Sequence, residues 1–283
     1  MRHPRGLSAP LADLDRTVVM GILNVTPDSF SDGGRWASVE AAIERGVRLH
    51  TEGADIVDVG GESTRPGAQR ISAEEELARV LPVVRDLSGA GIPVSIDTMR
   101  AEVAAACIKV GAVLVNDVSG GLSDPKMLPW LATVDVPYVA MHWRGPSAVM
   151  DDLATYADVV AEVTAELRAR VDALQAAGVD PARVVLDPGL GFAKKSGHNW
   201  SLLAHIDALQ SLGCPLLIGA SRKRFLGDVL ADGDGPRPLE ERDAAGDAIT
   251  ALAASAGTWG VRVHEVRASR DAVLVAQAWQ EAR

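Results

Sequence analysis

Eight short runs of apolar, largely β-branched residues recur along the chain, and none of them alternates strictly with polar residues. They are VVMGILN (18–24), DIVDVG (55–60), IPVSID (92–97), AVLVND (112–117), PYVAMH (137–142), RVVLDPG (183–189), PLLIGAS (215–221) and GVRVHE (260–265). Continuous apolarity marks strands covered on both faces, as in parallel sheets. Between the runs lie helical patterns: SVEAAIERGVRLHTEG repeats apolar residues at three- and four-residue spacing and stops at Gly53. EEELARVLPVVRDL, EVAAACIKVG, YADVVAEVTAELRARVDALQAAG and DAAGDAITALAASAG follow the same period, and SRDAVLVAQAWQEA closes the chain.

Eight strands alternating with eight helices in 283 residues is the order and size of a single (β/α)8 TIM barrel. The competing architecture, an open doubly wound sheet, normally uses fewer strands in succession. The barrel domain is expected over 17–283, with residues 1–16 as a flexible N-terminal extension.

A barrel of this kind carries its chemistry on the loops at the C-terminal ends of the strands. Those ends hold Asn24, Asp58 with Glu62–Arg65, Asp97, Asn116 and Asp117, His142, Asp187, Ser221–Lys223, and Arg262 with His264. Loops at the other rim, such as GAGIP and GVDPAR, are short and chemically plain. Asp97, Asn116 and Asp187 end apolar strands, where buried polar groups need partners. A ligand rich in N–H donors, such as an aminated heterocycle, would supply them, and a carboxylate can grip two adjacent N–H groups at once. Taken singly, each of these residues is as readily a structural cap.

A second group is cationic in a chain of net charge −10: Arg65, Arg222, Lys223, Arg224, Arg262 and His264. Five of these end or follow the last two strands, where barrels often bind phosphate. Phosphate or diphosphate is the expected ligand, with an ordinary solvated basic turn as the plain alternative. Asn24 adds an oxygen ligand for Mg²⁺, an ion that uses few protein ligands and keeps several waters. The loops 25–37 and 61–72 are long and rich in Gly, Ser, Asp and Pro, as binding loops over a barrel mouth are.

Composition narrows the partners. An excess of 38 acids over 28 basic residues argues against nucleic acid or an anionic membrane as main partner. Cys107 and Cys214 lie far apart outside any CxxC pattern, so neither a disulfide nor a structural zinc is expected. With no apolar signal segment or 18-residue apolar span in the sequence, a cytoplasmic location is expected. Trp130, Trp200, Trp259 and Trp279 read as packing residues, and His50, His198 and His205 as surface or capping residues.

Together, GILNVTPDSFSDGG, DIVDVGGESTRPGA, SIDT, VNDVSGG, LDPGLGFAK, GASRKRFLG and RVHEV, in this order, make the chain resemble the dihydropteroate synthases, with an actinobacterial flavour. The resemblance covers about residues 18–281. It implies condensation of 6-hydroxymethyl-7,8-dihydropterin diphosphate with p-aminobenzoate, giving 7,8-dihydropteroate and diphosphate. It assigns Asp97, Asn116, Met141, Asp187 and Lys223 to the pterin. Diphosphate would meet Thr64, Arg262 and His264, and Asn24 through Mg²⁺. Aminobenzoate would lie near Thr64, Arg65, Pro66, Phe192, Ser221 and Lys223. The implied catalytic set is Asp97, Lys223 and Arg65, acting on a pterin-methylene cation formed before the amine attacks. A homodimer built on the late helices, a sulfonamide target, is also implied. The alternatives are a pterin-binding methyltransferase domain, which has no use for STRP, SRKR and RVH, and a catalytically silent pterin-binding paralogue, which should have lost them.

Overall fold

A computed structural model describes residues 3–26, 34–63, 70–146, 148–233 and 235–282, with the side chains of 34–38 left aside. A short helix, α1 (Ala9–Ala12), precedes β1 (Val18–Asn24), α2 (Gly34–Thr51), β2 (Ile56–Gly60) and α3 (Ala73–Gly89). Then come β3 (Val94–Asp97), α4 (Ala101–Lys109), β4 (Leu114–Asp117), α5 (Met127–Leu131) and β5 (Tyr138–Met141). Next are α6 (Val159–Ala176), β6 (Val184–Asp187), α7 (Ser196–Ala204), α8 (Ile206–Gln210) and β7 (Leu217–Ile218). The last elements are α9 (Arg224–Val229), α10 (Asp243–Ser255), β8 (Gly260–Val263) and α11 (Val266–Glu281). All eight apolar runs of the sequence are strands, trimmed at their ends.

The strands form one parallel sheet in the order β6-β5-β4-β3-β2-β1-β8-β7, and a parallel bridge between Leu186 and Leu216 joins its two edges. The eight-stranded barrel is thereby nearly closed, as the continuous apolarity of its strands requires, because both faces are covered. Side chains alternate between the two faces of a strand. One set, including Val19, Val57, Val59, Val94, Ile96, Val115, Leu186 and Val261, packs in the core that holds the helices to the outside of the barrel. The other set points inward. Val18, Met20, Ile56, Leu114, Val139, Val185, Leu217 and Trp259 form a separate apolar cluster inside the barrel.

Residues 3–16, expected as a flexible extension, lie against this floor. Leu11 on α1 is buried in the inner cluster, with Leu7 and Leu14 packed beside it. The Arg5 amide donates to the Ala182 carbonyl at 2.8 Å, and Arg16 forms two 2.7 Å hydrogen bonds to the Asp55 carboxylate. Asp55 also accepts from the Val19 amide at 2.8 Å and from Arg270 at 3.1 Å, so one acid ties the entry of β1 to α11. Two of the long helices start on conventional caps: at α3 Ser72 accepts from the Glu75 amide, and at α6 Asp158 accepts from the amides of Val160 and Ala161. The three helical histidines act locally, His198 accepting the Lys195 amide and His50 and His205 lying against the carbonyls of Ala54 and Ser201.

Because Leu11 seals the barrel floor, Leu11→Ala should lower unfolding stability by about 2–3 kcal/mol, the usual cost of an unfilled core cavity. Urea denaturation of the variant measures it; a loss within about 0.5 kcal/mol, the range of surface substitutions, would show that the segment contributes no core.

Candidate active site

The polar residues of the site stand on the inner face of the barrel, two residues further along each strand than the apolar floor. Asp58 follows Ile56, Asn116 follows Leu114, Met141 follows Val139, Asp187 follows Val185, and Arg262 follows Gly260. Register aligns Asn24 with Gly60, Gly60 with Asp97, and Asp97 with Asn116 across β1 to β4. Met141 is aligned with Asp187 across β5 and β6. The barrel thus gathers Asn24, Asp97, Asn116, Met141 and Asp187 onto one rim, as their strand-end positions predict.

At the centre, Arg262 joins two acids from neighbouring strands. Its Nε donates to Asp58 Oδ2 at 2.6 Å and its Nη2 to Asp97 Oδ2 at 2.7 Å. The Asn116 amide donates to the same Asp58 oxygen at 3.0 Å. Asp58 is completely buried, and a carboxylate there persists only with such partners. Burial pushes the Asp97 carboxyl up to about 7, with Arg262 pulling the other way. Burial works against the Arg262 cation, but Asp58 and Asp97 outweigh it and hold the guanidinium above its ordinary range.

The second centre is Asp187 with Lys223. Asp187 accepts the Gly189 amide at 2.7 Å, and burial raises its carboxyl while Lys223 opposes the rise. Lys223 donates to the Leu190 carbonyl, and its Nζ lies 5.0 Å from the centre of the Phe192 ring. Burial lowers the ammonium to about 8 despite Asp187. The DPGLG turn that makes this possible needs glycine at 189, where φ is +66° and a Cβ would lie 2.4 Å from the His142 carbonyl oxygen. Ser221 and His264 pair next to β8: Ser221 Oγ accepts the His264 amide at 3.2 Å and lies 3.0 Å from its Nδ1.

Other expected residues are placed differently. Arg222 has φ +60° and turns away to Asp243 and Glu265, with Nε–Oδ1 2.8 Å and Nη2–Oε1 2.7 Å, and Arg224 is exposed on α9. The cationic group of the sequence is therefore divided, Lys223 and Arg262 facing the barrel mouth and Arg222 serving as a surface clamp. Asp117 points to the outer side, where it caps its own loop by accepting from Ser119, Gly121 and the Tyr138 hydroxyl. Thr64, Arg65 and Pro66 lie outside the described residues, as do 27–33 of the first long loop. Asp58, counted among the strand-end residues of the sequence but given no ligand there, is the most buried acid of the site. The signal was there: an aspartate inside IVDVG has no reason to interrupt a buried strand unless it faces a partner. Among the described residues, no group of three or more His, Cys, Asp or Glu side chains is placed to hold a metal ion. No helix of the described residues is long and apolar enough to cross a membrane.

Residues 20–264, which contain all the described site residues, match the model of a family described as pterin binding enzyme. The chain belongs to that family. It is 56% identical over 266 residues to the dihydropteroate synthase of Mycobacterium leprae, covering 93% of this chain and 94% of the relative. The Bacillus subtilis dihydropteroate synthase is 41% identical over 254 residues, at 89% and 85% coverage. A structure of Xanthomonas albilineans dihydropteroate synthase with 4-aminobenzoic acid superposes with a TM-score of 0.86 at 47% identity and 94% coverage of both chains. The same enzyme in complex with 7,8-dihydropteroate gives 0.83 at 44% identity, again with 94% of each chain covered. Within the pterin-binding enzymes, this chain falls among the dihydropteroate synthases, which are transferases.

The electrostatic attraction between Asp187 and Lys223 has a measurable consequence. The Lys223 ammonium should titrate near 8 in NMR of lysine labelled at Cε, and Asp187→Asn, which removes an attraction for the proton, should move it lower still. A midpoint at the ordinary lysine value of about 10.4 would rule out the buried placement.

Proposed function

We propose that the chain condenses 6-hydroxymethyl-7,8-dihydropterin diphosphate with p-aminobenzoate to form 7,8-dihydropteroate. The observation that carries this reading is the pair of largely enclosed charge centres on one barrel rim, buried Asp187 near half-buried Lys223, and half-buried Asp97 bonded to Arg262. The first suits an aminated heterocycle: Asp187 accepts from the amino-pyrimidine edge, Asn116 reads the same edge, Lys223 donates to the ring carbonyl and N5, and Met141 forms an apolar wall. Complexes of the similar Xanthomonas enzyme with 4-aminobenzoic acid and with 7,8-dihydropteroate support both substrate classes.

In the proposed order the bond between the pterin methylene carbon and the diphosphate oxygen breaks first, its electron pair leaving with diphosphate. Asp97, ionised beside the resulting pterin-methylene cation, stabilises it from a fixed position in a dry site. The aniline lone pair then forms the new C–N bond, and the nitrogen releases its proton to solvent. Holding the amine in place substitutes for a strong base. Arg262 and His264, with Thr64, face the diphosphate, while Phe192, Ser221 and Lys223, with Thr64, Arg65 and Pro66, surround the aminobenzoate. Asn24, a half-buried amide at the end of β1, is a hard oxygen donor of the kind Mg²⁺ accepts alongside substrate phosphates. When bound there, the ion would supply neutralisation of the diphosphate charge.

A homodimer fits the surface of the late helices. Leu252 on α10 and Val275 and Trp279 on α11 are about two-thirds exposed, and Gln280 bonds the Ser255 carbonyl at 2.5 Å, bringing those helix ends together. Apolar side chains grouped in this way mark a partner surface.

Diphosphate release from the pterin diphosphate, followed with Mg²⁺ and with or without p-aminobenzoate, tests the reaction. Release coupled to dihydropteroate is the expected result, and tight pterin binding without release under either condition would sink it. Asp97→Asn should lower kcat by about 10²–10³. Its KM for the pterin diphosphate should stay within a factor of about three, less than 1.4 kcal/mol. Equal losses in both would remove Asp97 from cation stabilisation.

A further inference from the structure

Behind Asp187, the loop after β6 is fastened to the end of β5 by buried polar groups that the proposed chemistry leaves unused. Lys194, the last residue of LDPGLGFAK, is 8% exposed. Its Nζ lies 2.8 Å from His142 Nδ1 and donates to the Phe192 carbonyl at 3.0 Å. His142 is 2% exposed, and its Nε2 lies 2.8 Å from Glu166 Oε2 on α6. Arg144 holds the other side of that carboxylate, with Nη2–Oε1 at 2.5 Å, and stacks 3.8 Å from the Tyr156 ring centre.

Burial lowers the Lys194 ammonium to about 7, with Asp187 pulling the other way. In its ammonium form Lys194 has donors only, so His142 Nδ1 then accepts, its proton sits on Nε2, and Nε2–H donates to Glu166. Burial lowers His142 to about 4, which keeps the ring in the neutral form this order requires. The His142 contact, together with the Arg144 clamp, draws Glu166 down to about 2, so its carboxylate is always ready to accept.

A buried ammonium is a costly way to fill space, since a thioether or alkyl chain of the same length would pack there with no charge to desolvate. What Lys194 adds is found at its contacts. The carbonyl it holds belongs to Phe192, whose ring faces Lys223, and its charge lies within electrostatic reach of Asp187. The other groups facing Asp187 are the Gly189 amide, Lys223 and Arg262, and Lys223 is already committed to the Leu190 carbonyl.

We propose that Lys194, held by His142, is a positioning residue for the pterin pocket, keeping its amino group behind Asp187 and fastening the Phe192 backbone in one place. This rests on the reading of Asp187 as the acceptor for the pterin. Lys194 touches no substrate in this account; it acts through Asp187 and Phe192.

The test compares 6-hydroxymethylpterin affinity by calorimetry with the urea unfolding midpoint of the same proteins. Lys194→Met should weaken pterin binding about tenfold while leaving the midpoint unchanged or raised, because a buried charge has been removed. A lowered midpoint with affinity within a factor of about two would overturn the proposal, since a packing role alone predicts that pattern. Should Lys194→Met fail to fold, two His142 variants decide. His142→Asn keeps an acceptor for Lys194 and should stay within about threefold of the wild type, whereas His142→Leu should lose about tenfold. Equal affinity of the two would overturn the proposal. Wild-type protein that binds the pterin yet forms no dihydropteroate would refute the reaction alone and leave this comparison readable. Wild-type protein that does not bind the pterin overturns both.

Discussion

The inner face of a nearly closed parallel barrel allows only one side chain in two from each strand, and this constraint governs everything above the floor. Ile56, Leu114, Val139 and Val185 use the lower inward positions to build an apolar plug with Leu11 and Trp259. The next inward positions are Asp58, Asn116, Met141 and Asp187. A shift of one residue in any strand would send its acid outward among the helices and its valine or isoleucine into the mouth. The same packing that stabilises the barrel therefore sets the register of the site, and the site needs no separate scaffold.

Charge balance is the second constraint. Asp58, Asp97 and Asp187 bring three carboxylates into a space closed below by hydrocarbon, and Arg262 and Lys223 are the cations that face them. Neither cation is spare: Arg262 is divided between two acids, and Lys223 between Asp187 and a backbone carbonyl. Removing one partner of such a buried pair costs about 3–5 kcal/mol, because the other is left uncompensated. A ligand that brings its own N–H donors to the carboxylates meets an existing demand.

These relations explain which parts of the molecule were legible in the sequence. The eight runs, their order and the rim of polar residues followed from apolar continuity, which depends only on burial. Asp97, Asn116 and Asp187 were visible as polar residues ending apolar strands. Asp58 was counted with them, but the sequence could not show that it stands one inward position below the rim and is held there by Arg262 and Asn116. Arg222 and Lys223 are neighbours in sequence and differ wholly in environment, because the backbone at Arg222 takes a left-handed turn that throws its side chain onto Asp243. Composition cannot show such a turn. Nor can the sequence show that Lys194 and His142, from different strands' loops, meet at 2.8 Å; that contact exists only once β5 and β6 are paired.

The two substrates ask for different mechanical properties, and the structure separates them. The groups read as meeting the pterin are attached to strand ends, apart from Lys223 in the turn that enters α9. The DPGLG turn beside them leaves no room for a side chain at Gly189, where a Cβ would lie 2.4 Å from the His142 carbonyl oxygen. The residues read as meeting the amine belong largely to the long loop after β2, whose two stalks are fastened to the rigid part. Arg100, three residues past Asp97, donates to Glu62 at 2.8 Å, to the Ile71 carbonyl at 2.5 Å and to Glu76, while Arg79 donates to the Gly61 carbonyl at 2.9 Å. Arg70 adds bonds to Glu62 and Ser123. The described ends of that loop are thus tied to α3 and to the loops after β3 and β4. Asp97 is held beside Arg262 by a 2.7 Å bond from a different strand, and the cation-stabilising role proposed for it depends on such a charge being in position beforehand.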